Sequence, residues 1–263
     1  MKKTLLLLCL TGSAAYAQHT EGTITYSQKT SMRGRIQVSD PAMQARMPES
    51  VTAGFQLVFT SEEALYEPTV DDEPGGPGGP GGGPGFRFAR PRTEIYSRIR
   101  ERKRTELREL FGDTYRIEDT LRTQRWKMGT ETKTIKGIEC RKATFTDSVS
   151  AQLMIGGGPG LMPPGQADAP PAKRARTVVA WYAPEIPVPI GPDRYAGLPG
   201  LILEVDVNEG ESVTTVTDID LKKPKASELK QPKSGKAVTQ TEFQEIMKQK
   251  MQQMGGERRM RMN

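Results

Sequence analysis

The 263-residue chain has one histidine, His19, two cysteines, Cys9 and Cys140, and two tryptophans, Trp126 and Trp181. A single histidine near the start leaves a Ser-His-Asp or Cys-His constellation without a base unless the terminus folds back. Histidine-rich zinc sites are excluded by count. Long apolar runs are also missing: the longest, Leu5 to Leu10, is less than a third of the roughly 20 residues needed to cross a bilayer. Lys2 and Lys3 precede that run and Ala15-Tyr16-Ala17 follows it, the pattern of an export signal cleaved before Gln18. Residues 1–17 therefore read as a signal peptide, which implies a periplasmic or secreted protein with no transmembrane span once cleaved. Cys9 lacks the small neighbours of a lipoprotein site. Cleavage leaves Cys140 alone, so the mature monomer makes no internal disulfide and depends on its core.

Charge of one sign is scarce as well. The formal net charge of +6 falls to +4 when Lys2 and Lys3 leave, which gives no reason to expect nucleic acid as a partner. The basic residues from Arg98 to Arg108 alternate with Glu101, Glu106 and Glu109 and read as a solvated mixed-charge face. Two carboxylate groupings, Asp71-Asp72-Glu73 and Asp218 with Asp220, read the same way, and two tryptophans are few for a glycosidase with aromatic platforms. Two Gly/Pro-rich stretches, residues 74–85 and 156–171, lack apolar periodicity and read as flexible insertions. A phosphate-cradling role fails because no Lys-Ser/Thr follows the glycines.

What is present is a β pattern. Gly22 to Tyr26, Gly54 to Thr60, Glu63 to Tyr66, Thr114 to Glu118, Trp126 to Met128, Glu139 to Phe145, Arg176 to Tyr182, Leu201 to Val207 and Ser212 to Ile219 are short β-prone runs between turn signals, which indicate an antiparallel sheet. Thr93 to Phe111 stays open between a helix lined by Ile95, Ile99 and Leu110 and a hairpin. Residues 239–254 form the one convincing helix. Thr239 or Thr241 is its N-cap, and Phe243, Ile246, Met247, Met251 and Met254 recur at helical spacing. The expected organisation is a β-rich domain over 18–222, followed by a linker, this helix and a Met/Arg-rich tail over 223–263.

Within Gly191 to Val205, Leu198-Pro-Gly-Leu201 suits a type II turn with Gly200 at positive φ. Gly191-Pro192 makes another bend, and prolines 184, 187 and 189 hold the approach extended. Tyr195 and Leu198 are expected to pack into the sheet. Cys140 reads as a buried small hydrophobe; a reactive thiol beside Arg141 and Lys142 is the alternative.

Gly197-Leu-Pro-Gly-Leu-Ile202 resembles, without a break, the segment that names the GLPGLI family, exported proteins of uncharacterised function from Bacteroidetes. Trp126, the block Glu131 to Ala143 containing Cys140, and Ala180-Trp181-Tyr182 through Pro187 with Gly191-Pro192 resemble further blocks of that family in the same order. The resemblance implies a β-rich fold in an envelope or secreted location and carries no catalytic residues. It favours strands for Thr93 to Phe111. By analogy of fold alone it suggests a single sheet curved as an open half-barrel, like that of periplasmic lipoprotein carriers.

The leading functional expectation is a non-enzymatic, cofactor-free binding or accessory protein of the envelope. Its concave sheet face would meet a peptide, a lipid or an outer-membrane partner. The second is a soft-metal protein holding copper(I) through Met247, Met251, Met254, Met260 and Met262. The third is an enzyme of unidentified type.

Overall fold

The strands form where side chains alternate between an apolar face and a polar one, as in the first, where Ile24 and Tyr26 turn inward and their neighbours do not. The computed structural model describes residues 19–32, 48–69, 93–110, 112–150 and 173–261. The expected signal peptide 1–17, the acidic run 71–73, the expected insertions 74–85 and 156–171 and Met262 lie outside the described residues. In chain order come β1 (Gly22–Ser31), β2 (Ser50–Phe59), β3 (Glu63–Pro68), β4 (Thr93–Arg98), β5 (Lys103–Leu110) and β6 (Asp113–Thr120). They are followed by β7 (Lys127–Ile135), β8 (Ile138–Ser150), β9 (Lys173–Ala183), β10 (Leu201–Val207), β11 (Ser212–Asp220), β12 (Lys236–Thr239) and the helix α1 (Gln240–Arg261). The segment left open by periodicity is the hairpin β4–β5.

All the strands join one sheet in the order β12-β6-β5-β4-β3-β2-β1-β11-β10-β9-β8-β7. Every pairing is antiparallel except β12 with β6, which is parallel and sets Lys236 opposite Tyr115. A wholly antiparallel sheet was expected. The difference arises because the chain leaves β11 and doubles back along residues 221–235 before pairing again, so β12 must run in the direction of β11 and β6.

The sheet is open, and its curvature follows from its connectivity. β6 and β7 are consecutive in the chain but ten strand spacings apart in the sheet, about 48 Å if it were flat. Only residues 121–126 join them, a link that reaches at most about 25 Å. The sheet must therefore curl into a gutter, and the link straps edge strand β7 to β6, the neighbour of edge strand β12. Leu121 lies in the core with Ile24 and Ile95, and Trp126 packs edge-on against Phe145 with ring centroids 4.8 Å apart. Both ends of the strap thus lie on the concave face.

A second segment fills that face. The connection from β9 to β10, residues 184–200, buries Ile186, Val188, Ile190, Tyr195 and Leu198. Pro187 and Pro189 alternate outward between the first three, because a proline-rich run stays extended and shows every second side chain to one side. Each of those apolar side chains contributes roughly 1.5–3 kcal/mol by burial. The strap grips this plug. Gln124 Nε2 donates to the Arg194 carbonyl at 3.0 Å, its Oε1 accepts from the Ala196 N–H at 3.1 Å, and Trp126 Nε1 donates to the Ala196 carbonyl at 3.0 Å.

On the outer face, Leu229 packs on Val58, Leu65 and Tyr96, and Gln231 donates to Thr105 Oγ1 at 3.1 Å. The stretch expected as a linker is thus a fitted cover. Helix α1 starts with a capping box: Glu242 N–H donates to Thr239 Oγ1 at 3.2 Å while the Glu242 carboxylate accepts from the Thr239 N–H at 2.6 Å. This identifies Thr239 as the N-cap. Phe243 then buries against Tyr115, Ile117 and Val238.

Candidate functional site

Period-two alternation on β5 puts Arg104, Glu106 and Arg108 on one face, and register places that face inward. Glu106 lies opposite Ile95 on β4 and Ile117 on β6, in a row that continues through Tyr66, Leu57 and Ile24. Glu106 is 1% exposed and Arg104 8%. The solvated-face expectation therefore fails for these two residues, although it holds for the exposed Glu101 and Glu109. A lone carboxylate in that row would carry a desolvation penalty of several kcal/mol. It is tolerated because Arg104 Nη2 lies 3.5 Å away and Arg108 forms a close ion pair from the other side. Arg104 also approaches Asp119 at 3.9 Å. Its Nε is buried without a hydrogen-bond partner among the described residues.

The plug carries a further arginine at its tip. At its tip Asp193 adopts φ 55°, and the Tyr195 N–H closes a turn on the Pro192 carbonyl at 3.2 Å. Arg194 is 44% exposed, and its one ion pair among the described residues is with Asp193 at 3.5 Å. Asp193 holds the Arg194 guanidinium above its ordinary pKa, burial opposes this, and Glu106 adds to it, so the plug tip lies within electrostatic reach of β5. On the opposite wall Arg176 makes a two-pronged bond to Asp147 at 2.9 and 2.5 Å. Tyr195 sits beside them, its phenol pushed up to about 12 by burial and then by Asp193. Phe55 stacks on Tyr66 with centroids 5.1 Å apart. The concave face thus combines guanidinium groups, paired carboxylates and aromatic surface. Chemically it can hold and orient a ligand.

The residues singled out from the sequence converge on the plug and not on this charged group. Gly197 has φ 89° and faces Thr123 of the strap, where a Cβ would lie 2.6 Å from that side chain. Gly200 is not at positive φ, contrary to the type II turn expected of it. A Cβ there would lie 2.2 Å from the Ala183 carbonyl oxygen, so close backbone approach at the end of β9 is what requires glycine. Leu198, Leu201 and Ile202 are buried and Pro199 is exposed. Gly191 packs on the Ile202 side chain, with Pro192 buried beside it. Tyr182 is buried, and Trp181 lies beneath the Lys133 ammonium, 5.6 Å from its ring centre. Cys140 is 0% exposed and free; burial, then Glu185 and Glu204, push its thiol up to about 12. This is the environment of an inert structural thiol.

Asp218 and Asp220 are exposed, as expected of a water-facing pair. Met247 is half-buried on α1. Met251, Met254 and Met260 fall in the same helix, but their side chains, like Met262, lie outside the described residues. The charged triad on β5 escaped sequence reading because alternating charges look the same on a solvated strand. The one available signal was its position between Ile95 and Ile117 on flanking strands.

Among solved structures the fold is similar to that of PNGF-II. In the P21 form the TM-score is 0.50 at 16% identity, covering 87% of this chain and 33% of the PNGF-II chain. In the C2 form the TM-score is 0.51, covering 87% and 32%. The chain spans about a third of the length of the PNGF-II chains it matches, and at this identity the likeness concerns the fold alone. No curated protein matches. Residues 126–204, which run from the strap tryptophan through the plug to β10, match the model of a family described as a protein of unknown function, Porph_ging.

Proposed function

We propose that the chain is an exported, non-enzymatic binding or accessory protein of the cell envelope whose concave face receives a ligand or partner. The observation that carries this reading is the charged wall of the gutter, where Arg104 and Arg108 pair a buried carboxylate, Glu106, and Arg194 at the plug tip stays 44% accessible. Preorganised polar groups beside apolar surface are the usual make-up of a binding concavity. The signal-like N-terminus supports the location, and among the described residues no helix is long and apolar enough to cross a membrane.

The test is a thermal-shift screen of residues 18–263 against peptides, lipids and small acids, with fractionation of the producing cells. Saturable stabilisation by one ligand class and recovery of the chain outside the cytoplasm are expected. Turnover in a parallel hydrolase screen would overturn the non-enzymatic reading, and cytoplasmic retention would overturn the location. The copper(I) alternative has Met247 as its one described side chain, and no described contact favours it.

A further inference from the structure

We propose that β7, the open edge of the sheet beyond β8, is a docking strand that pairs with an extended acidic segment of a partner protein and so lengthens the sheet by one strand. The inference concerns the sheet edge and is independent of the concave-face reading above.

The first argument is backbone accounting. β7 closes one side of the sheet with nine residues, whereas β12, at the other side, has four and leads directly into α1. The β7–β8 hairpin turns on Lys136 and Gly137, both at positive φ, which is a two-residue type I′ connection. In such a hairpin the flanking pair, Ile135 and Ile138, exchanges both backbone hydrogen bonds, and the pairs beyond it alternate. Lys133, opposite Cys140, therefore bonds inward to β8. Thr132 and Thr134, opposite Arg141 and Glu139, turn their N–H and C=O groups to the open edge, where an added strand can complete the ladder.

The second argument is that this stretch is left accessible. Edge strands are commonly blunted by bulges and by charged side chains standing over the edge. The irregularity of β7 lies between Met128 and Thr132, so residues 132–135 stay regular. Lys133 is drawn back across the sheet, its Nζ 2.7 Å from Glu204 and above the Trp181 ring. Glu131 is drawn back likewise, to Lys142. The outward-bonding residues, Thr132 and Thr134, are small and exposed.

The third argument concerns the partner's chemistry. Arg125, Lys127, Lys136 and Arg141 are exposed around this edge, and none has an ion pair among the described residues. Glu139 is the one carboxylate among them in the same condition. The edge therefore carries an excess of unpaired positive charge, which attracts an acidic segment and disfavours a second copy of itself. Met128, 53% exposed and the one exposed large hydrophobic among the described residues, stands at the start of the strand as an apolar contact for the incoming segment.

The experiment is fluorescence anisotropy of residues 18–263 with a short labelled peptide of alternating glutamate and valine. Binding is expected, and it should weaken about tenfold or more for an alternating lysine–valine peptide, for the glutamate–valine peptide N-methylated along its backbone, and in Thr134→Pro. Thr134→Pro removes an outward N–H and no β7–β8 hydrogen bond, so it should melt as wild type. Thr134→Val, which keeps the N–H, should bind as wild type. Absence of glutamate–valine binding, or equal binding by the N-methylated peptide or by Thr134→Pro, overturns strand addition; the N-methylated peptide reads this on the wild-type protein even where the proline variant fails to fold. Equal binding of the lysine–valine peptide overturns the acidic partner. A wild-type dimer that Thr134→Pro converts to monomer overturns it in favour of a second copy. The thermal-shift screen reads the concave face separately, so either reading can fail without the other.

Discussion

At the scale of single residues the two motif glycines serve different needs and should fail differently. Gly200→Ala drives a methyl group into the Ala183 carbonyl, 2.2 Å away, and overpacking against backbone typically costs about 1–3 kcal/mol. Gly197→Ala meets strain at φ 89° as well as the Thr123 side chain, for a comparable loss. Gly137→Asn, at φ 83° with open space around it, should cost less than about 1 kcal/mol because asparagine tolerates that region. Urea denaturation of the three variants separates the cases, and an unchanged midpoint for Gly200→Ala would refute the close-approach assignment. Cys140 makes a pH prediction. Its thiol is raised from 9.0 to about 12 in the fold, so its contribution is complete below pH 9 and is lost as pH rises toward 12, where the unfolded chain ionises first. Wild type should therefore lose stability between pH 8 and 10.5 more steeply than Cys140→Ala. The native thiol should also resist labelling at pH 8 until denaturant is added.

At the scale of elements, α1 is held by few contacts and should detach before the sheet unfolds. Thr239→Ala removes the cap and should cost about 1 kcal/mol. Phe243→Ala removes the ring seated edge-on to Tyr115 and beneath Arg108, about 3–5 kcal/mol of docking. Hydrogen exchange should rise across residues 240–250 in both variants while β1 and β2 stay protected; a rise spread over the whole sheet would contradict this independence. Most strands were legible in the sequence because they show their own alternation, but β4 and β5 were left open by periodicity; the helix start was legible to within Thr239 or Thr241, and the Glu242 contact decides for Thr239. β12 was not legible, since four residues carry too little periodicity and its partner β6 lies more than a hundred residues earlier. The inward charges of β5 were hidden for a related reason. Whether Arg104, Glu106 and Arg108 meet water is decided by Ile95 and Ile117 on other strands and by the plug, none of which local sequence contains. The GLPGLI segment was legible as architecture, but its turn type was not, because Gly200 answers to Ala183 and not to its chain neighbours.

At the scale of the whole molecule, the strap over residues 121–126 keeps the gutter curled. Lengthening it by four Gly/Ser residues between Arg122 and Thr123 adds little loop entropy but displaces the three hydrogen bonds to the plug, each worth about 0.5–1.5 kcal/mol. A fall in melting temperature of about 5–10 °C is expected for a domain of this size; an unchanged value would mean that the plug alone sets the curvature. The same topology bears on how the chain is made. β1 pairs with β11 from Thr23↔Asp220 to Thr30↔Ser212, and the open edges of the sheet are β12, beside β6, and β7. Strands β1 to β6 can thus pair with one another as soon as they are synthesised, while the far side of β1 waits unpaired until nearly the last strand exists. An exposed strand edge of that kind invites pairing with other chains. The order of synthesis conflicts with the order of the sheet, and a polypeptide delivered whole before it folds, as export would deliver it, keeps that edge open for the shortest time.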